Sequence, residues 1–325
     1  MRDKIYLAGF LVFAGVLLFL GRHLLAGSVL ISWVLTFGGT AAAGVLLVVL
    51  YRVQIELQAS RLELARKEAE LHFALEVQRA LFPRKLPSAD GLELSAVCIP
   101  AQGISGDFYD VWTLPDGRFV FAIADISGKG ISAAILMANL QAVLRMLAAT
   151  SASPGDLCQK LNHHVHQVTD PAWFATFFYG EWHPADRHLR YVNAGHNPPL
   201  LLSAFHSQRL DQGGVPLGMF AAAEFEVGQV FLQPADVLIL YSDGITEAAA
   251  ADGEEFGEER LQTVVTKHRQ EPLTGIQGRV LDAVREWSPK DPQDDMTLLI
   301  VRAAQSLSQI RTDVPGSVAQ TKEAS

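Results

Sequence analysis

Phe119-Val120-Phe121-Ala122-Ile123-Ala124-Asp125-Ile126-Ser127-Gly128-Lys129-Gly130 is the stretch that decides the fold of this chain. Six apolar residues in a row read as a strand buried on both faces. The run stops at an aspartate, and a carboxylate inside a sheet would be costly. Asp125 therefore belongs at the strand's end, where Gly128 and Gly130 let the chain turn. The arrangement recurs further along: Asp243 follows Val237-Leu238-Ile239-Leu240-Tyr241 within Ser242-Asp243-Gly244, and Asp294 within Gln293-Asp294-Asp295 precedes Met296-Thr297-Leu298-Leu299-Ile300-Val301. Gly106-Asp107-Phe108-Tyr109-Asp110 is a further acidic cluster upstream. Each alone is explained by turn chemistry or by a helix cap. Gathered at strand ends, carboxylates repel one another unless protons or cations neutralise them. Oxygen donors suit hard dications, so together they imply a hydrolase dependent on Mg²⁺ or Mn²⁺.

The order of the motifs extends this reading. Gln78-Arg79-Ala80-Leu81-Phe82-Pro83 is followed by Gly106-Asp107-Phe108-Tyr109-Asp110 and by Ala124-Asp125-Ile126-Ser127-Gly128-Lys129-Gly130-Ile131-Ser132-Ala133-Ala134. Asn193-Ala194-Gly195-His196-Asn197-Pro198-Pro199, Pro216-Leu217-Gly218, Ser242-Asp243-Gly244-Ile245-Thr246-Glu247-Ala248, Phe256-Gly257 and Asp294-Asp295-Met296-Thr297 complete the series. In these motifs the chain resembles the SpoIIE/RsbU-type branch of the PPM (type 2C) serine/threonine phosphatases, over roughly residues 78–303. Ser105 departs from the pattern, because the family commonly has a second glycine before Gly106-Asp107; every expected acidic ligand remains.

The resemblance implies two metal ions, Mn²⁺ or Mg²⁺. Asp125 would bridge them, the backbone carbonyl of Ile126 would bind one, Asp107 would serve the first directly or through water, and Asp243 and Asp294 would hold the other. Asp125 and Asp243 are thus the expected catalytic pair. Asp295, Asp110, His196 and Lys129 are candidates for a supporting role around the ions, with Asp110 equally able to pin a local turn. A pair of dications lowers the pKa of a shared water, and the hydroxide attacks phosphorus in line without a phosphoenzyme. The Cys-x5-Arg loop of cysteine phosphatases is absent from the sequence. Cys98 and Cys158, the only cysteines, lie in apolar runs and read as small core residues in a reduced compartment.

Other motifs carry less. Gly128-Lys129-Gly130 lacks the spacing of a phosphate loop, leaving Lys129 as a turn lysine or a phosphate contact. His163, His164 and His166 lack zinc-helix spacing and read as solvated or capping residues, whereas His196 lies inside a family motif and is expected to organise loops beside the site. The net charge of −9 excludes nucleic acid as the expected partner.

The amino-terminal residues differ in kind. Ile5–Leu20 and Leu24–Tyr51 are uncharged, separated by Gly21-Arg22-His23, and both approach the roughly 20 residues that span a bilayer. They account for a hydrophobic fraction of 49%. Arg2, Lys4 and Arg52 flank the pair and favour a hairpin with both ends in the cytoplasm, hence an inner-membrane protein with its catalytic domain in the cytoplasm. A cleaved signal peptide ending near Leu24-Leu25-Ala26-Gly27-Ser28 is the alternative. From Arg52 to Phe82 no Gly or Pro interrupts a Glu-, Arg-, Ala- and Leu-rich stretch, which predicts one helix. Leu57, Leu64 and Leu71 recur every seven residues, as do Ile55, Leu62 and Ala69, a pattern that suits a dimeric coiled coil; a solitary amphipathic helix is the alternative.

Strands are expected at 92–99, 118–124, 174–182, 188–192, 237–241 and 296–301, and helices at 131–149, 155–168, 258–268 and 273–287. The expected architecture is α/β: two transmembrane helices (1–51), a linker helix (52–82), a PPM-type four-layer α-β-β-α sandwich of antiparallel sheets (83–303) and a disordered tail (304–325). Three functions fit. The chain is read as a membrane-anchored phosphoprotein phosphatase, its implied substrate a phosphorylated STAS-domain anti-anti-sigma factor, or as a catalytically silent scaffold, or as a two-metal phosphohydrolase of small molecules.

Overall fold

The computed structural model describes residues 12–21, 29–101, 103–170, 172–204, 206–289 and 292–304. The start of the first apolar segment, the connector at 22–28 and the tail beyond Ala304 lie outside them. Two units are distinguished, divided between Glu70 and Leu71.

The first unit holds helix α1 (Val12–Gly21) and most of α2 (Val29–Leu81). The second apolar segment and the linker form one helix of 53 residues. The composition change at Arg52 is therefore no break in the helix; no proline falls within it, and Gly38, Gly39 and Gly44 are accommodated well before Arg52. Gly39 faces Leu18, whose Cδ1 would lie 3.2 Å from an added Cβ. Within Trp33–Tyr51 the described residues are exposed except the half-buried Gly39 and Ala43, and Leu57, Leu62, Leu64 and Leu71 are exposed beyond it.

The second unit is a four-layer sandwich. One sheet is ordered β1 (Leu92–Ile99), β11 (Met296–Ala303), β10 (Val237–Tyr241), β6 (Leu200–Leu202), β7 (Ser207–Arg209). The other is ordered β2 (Phe108–Thr113), β3 (Phe119–Ile126), β4 (Ala175–His183), β5 (His188–Ala194), β8 (Gly213–Gly214), with β9 (Gly228–Phe231) also on β5. All pairings between these strands are antiparallel except β5 with β8, a two-residue parallel exception to the expected sheets. Helices α3 (Ile131–Ala148) and α4 (Pro154–Val168) cover the second sheet; α6 (Gly257–His268) and α7 (Leu273–Trp287) cover the first. The short α5 (Asp243–Thr246) follows β10.

Strand alternation sorts side chains among the three cores. On β3, Val120, Ala122, Ala124 and Ile126 face the α3/α4 layer, while Phe119, Phe121 and Ile123 face the opposite sheet. On β10, Val237, Ile239 and Tyr241 face α6/α7, and Leu238 and Leu240 face between the sheets. Helix α3 is apolar enough to span a membrane, but Ala133, Met137, Leu140 and Leu144 are buried against the sheet. Its burial against the sheet is that of a core helix, with Ile131, Ile135 and Met146 left exposed.

The end of α2 is fastened to the sandwich. Gln78, which is buried, donates from Nε2 to the Ser105 carbonyl at 2.6 Å and accepts from Ser105 N–H at 2.9 Å. Gln141 on α3 donates to the Leu81 carbonyl at 3.0 Å and to Asp110 Oδ2 at 3.1 Å. Asp110 corrects the expectation of a turn. It lies within β2 on the side of Phe108, facing α3, where Arg145 grips it through Nε at 2.7 Å and Nη2 at 2.5 Å.

Candidate active site

Asp107 precedes β2 by one residue and Asp125 is the next-to-last residue of β3. By alternation both continue the face that looks toward the other sheet. From that sheet, Asp243 follows β10 by two residues and Asp294 precedes β11 by two. The four carboxylates therefore meet at one end of the seam between the sheets. Glycine makes the approach possible. A Cβ on Gly106 would come within 3.2 Å of the Ile126 carbonyl oxygen, and one on Gly244 would overlap the Asp295 carbonyl. Gly128 and Gly130 both have positive φ (92° and 76°), which carries the chain from β3 into α3 within four residues.

Asp295 joins the two halves. Its Oδ1 accepts from Ala101 N–H at 2.8 Å, and its Oδ2 accepts from Gly106 N–H at 2.8 Å and Ser105 Oγ at 2.7 Å. Ser105 Oγ also accepts from Asp107 N–H at 3.0 Å, so the residue that departs from the family pattern is built into the site. On the other side Ser242 Oγ donates to the Asp295 carbonyl at 3.1 Å and accepts from Thr297 N–H at 2.9 Å. Lys129 Nζ donates to Asp294 Oδ2 at 2.8 Å and to the Gln293 carbonyl at 2.9 Å, which puts a half-exposed cation beside the candidate ligands. His196 is buried, held by Asn193 through its backbone and by Thr176 Oγ1, 2.9 Å from Nδ1. Thr176 in turn is the cross-strand partner of Asp125. Burial drives the His196 pKa down to about 4, so the ring is neutral at pH 7. Gln78, Ser242, Thr297, Arg145 and Gln141 carry no signal of their role in the sequence, because they support the surroundings of the carboxylates through hydrogen bonds to distant residues.

Proton affinities record the crowding. Burial and then Asp125 push Asp107 up; burial and then Asp243 push Asp125 up to about 7; burial and then Asp294 push Asp243 up. With folded values above the unfolded 3.8, the folded cluster binds more protons than the unfolded chain between about pH 4 and 7. In the metal-free protein the three carboxylates should therefore lower stability as pH rises through that window, outweighing the single opposite contribution of buried His196, whose pKa is lowered from 6.5 to about 4. Thermal melts in EDTA at pH 5 and pH 8 check this: a higher midpoint at pH 5 is expected, and a midpoint that rises with pH would contradict it.

The donor set suits hard dications. Asp107 Oδ2 is buried without a hydrogen-bond partner, the glycine at 106 leaves room beside the Ile126 carbonyl, and the neighbouring donors are oxygens. Among the described residues, no three His, Cys, Asp or Glu side chains close around a common point. His163, His164 and His166 lie on α4; His164 Nε2 is 2.7 Å from Asn139 Oδ1 and His166 Nδ1 is 3.0 Å from the Gly218 carbonyl.

Comparison with known proteins bears on the family and the fold. Residues 115–304, more than half of the chain, match the family model for Stage II sporulation protein E (SpoIIE). The chain is 29% identical over 243 residues to Phosphoserine phosphatase RsbU of Bacillus subtilis (strain 168), covering 72% of this chain and 70% of that one. Among solved structures, the SiaA-PP2C domain of Pseudomonas aeruginosa superposes with a TM-score of 0.67 at 20% identity, covering 74% of this chain and 98% of that one. RsbX in complex with magnesium superposes with a TM-score of 0.51 at 14% identity, covering 68% and 99%. The sandwich is thus a PP2C fold, and the chain belongs to the SpoIIE family of PP2C-type phosphatases.

Proposed function

We propose that this chain is a metal-dependent phosphatase of phosphoserine and phosphothreonine in a signalling protein. The observation that carries the proposal is the meeting of Asp107 and Asp125 from one sheet with Asp243 and Asp294 from the other, each of the first three made harder to ionise by burial and by a neighbouring carboxylate. Asp107, Asp125, Asp243, Asp294 and the Ile126 carbonyl would hold two Mn²⁺ or Mg²⁺ ions, which supply an activated water and neutralise charge on the phosphoryl oxygens. Asp295 holds the loop that presents Asp107 in register with β11. Neutral His196 braces Thr176 behind Asp125 without adding a charge to the site. The packed seam behind the carboxylates keeps water out on that side.

The substrate is proposed to be a phosphorylated STAS-domain protein in a partner-switching pathway that controls a sigma factor, in keeping with the RsbU relationship. The exposed heptad leucines of α2 support a homodimer through the linker. The apolar α1 and the first half of α2 support anchoring as a hairpin in the inner membrane, with the catalytic unit in the cytoplasm. The linker's last turn contacts the site through Gln78 and Ser105, and contacts α3 through Leu81 and Gln141. A shift of the linker would move the loop that presents Asp107.

The test is phosphate release from a phosphoserine peptide by the full chain in detergent, with Mn²⁺ or with EDTA. Release that needs Mn²⁺ is expected. Equal release in both would refute metal dependence, and no release in either would leave the chain a scaffold.

A further inference from the structure

Beside the carboxylates lies a cavity of about 590 Å³. Lys129 and Asp294 form its side toward the site, Arg285 of α7 adds a second cation, and Ala248, Val284 and Met296 contribute apolar surface. Val284 and Met296 belong to the buried core between α7 and its sheet, so part of the lining is rigid core surface. The volume suits a ligand of a few residues or a small molecule. Among the described residues its lining holds no aromatic ring on which a nucleobase could stack. Its two cations, Lys129 and Arg285, are matched by two carboxylates, Glu247 and Asp294, so it is the position beside Asp294, with Lys129 free to turn from that carboxylate to a phosphate, that fits a phosphorylated ligand. The Lys129 side chain is half exposed, with its ammonium already on Asp294 Oδ2 at 2.8 Å, at the boundary between carboxylates and cavity.

We propose that this cavity receives the polypeptide segment around the phosphoserine. Lys129 pairs with the phosphate, and an apolar side chain next to the phosphoserine rests on Ala248, Val284 and Met296. The proposal builds on the phosphatase reading and makes the surface beside the metal ligands the determinant of sequence preference. Binding measured without turnover separates it from that reading.

The experiment is fluorescence anisotropy on the full-length Asp125→Asn chain in detergent with Mn²⁺. Two labelled phosphoserine decapeptides are compared, one with leucine on both sides of the phosphoserine and one with glycine. The leucine peptide is expected to bind at least tenfold more tightly. Ala249→Trp, at an exposed position on the cavity wall, should bring the two within twofold of each other. Lys129→Met should weaken both about tenfold, and circular dichroism confirms that each variant folds. Equal binding of the two peptides, or a preference that survives Ala249→Trp, overturns the proposal. So does a labelled adenosine monophosphate whose binding, rather than the peptide's, is blocked by Ala249→Trp. If the native chain releases no phosphate yet the preference holds, the phosphatase reading fails and the cavity assignment stands.

Discussion

Asp125→Asn is expected to lower kcat/KM for a phosphoserine peptide by roughly a thousandfold or more, about 4 kcal/mol of transition-state stabilisation. Asp125 is the carboxylate whose titration is perturbed by Asp243, Asp294 and Asp295 as well as by burial, so it lies where both halves of the site converge. Asn keeps the size and one oxygen but loses the charge a dication needs. The same change should leave the metal-free protein as stable as before, or more so at pH 8, because it removes one of several repelling charges. The two readouts must move apart. Activity retained within tenfold would refute the site assignment. A drop in melting temperature of many degrees would trace the lost activity to misfolding.

The second large effect is on stability. Arg145→Ala is expected to destabilise the catalytic unit by about 3–5 kcal/mol, the usual consequence of stranding a buried charge. Asp110 is fully buried, and without Arg145 it keeps only the Gln141 amide and the Val111 N–H as partners. The loss of the Arg145 guanidinium over the Trp112 ring, 5.0 Å from its centroid, adds to the cost. For a domain of this size the melting temperature should fall on the order of 10 °C. Removing both partners, Asp110→Ala with Arg145→Ala, should cost less than Arg145→Ala alone, since no charge is left behind. A double variant as unstable as the sum of the single ones would show that the pair acts through something other than charge burial. Because Gln141 also holds the Leu81 carbonyl, this cluster anchors α3, β2 and the end of α2 together.

Much of this was legible in the residues. Apolar runs and turn residues placed the six expected strands and four long helices close to where they lie, because buried strands and amphipathic helices carry their periods openly. The acidic residues at strand ends could be read as a cluster, since a carboxylate that ends an apolar strand is driven to the sheet's rim. Short strands such as β6, β7 and β9 were not legible. They are three or four residues long and owe their pairing to neighbours far along the chain.

What the sequence determined by itself was which carboxylates could share a site, through the order of motifs around Asp107, Asp125, Asp243 and Asp294. Tertiary structure decided how the supporting residues divide. Asp107 and Asp110 stand three positions apart on one strand segment, so the two-residue period of a strand sends one to the seam and the other to α3. Lys129 and Asp295, candidates from the sequence, acquire their partners Asp294 and Gly106 through hydrogen bonds spanning 165 and 189 positions. Such contacts depend on how two sheets pack face to face, and no local pattern of residues encodes that packing.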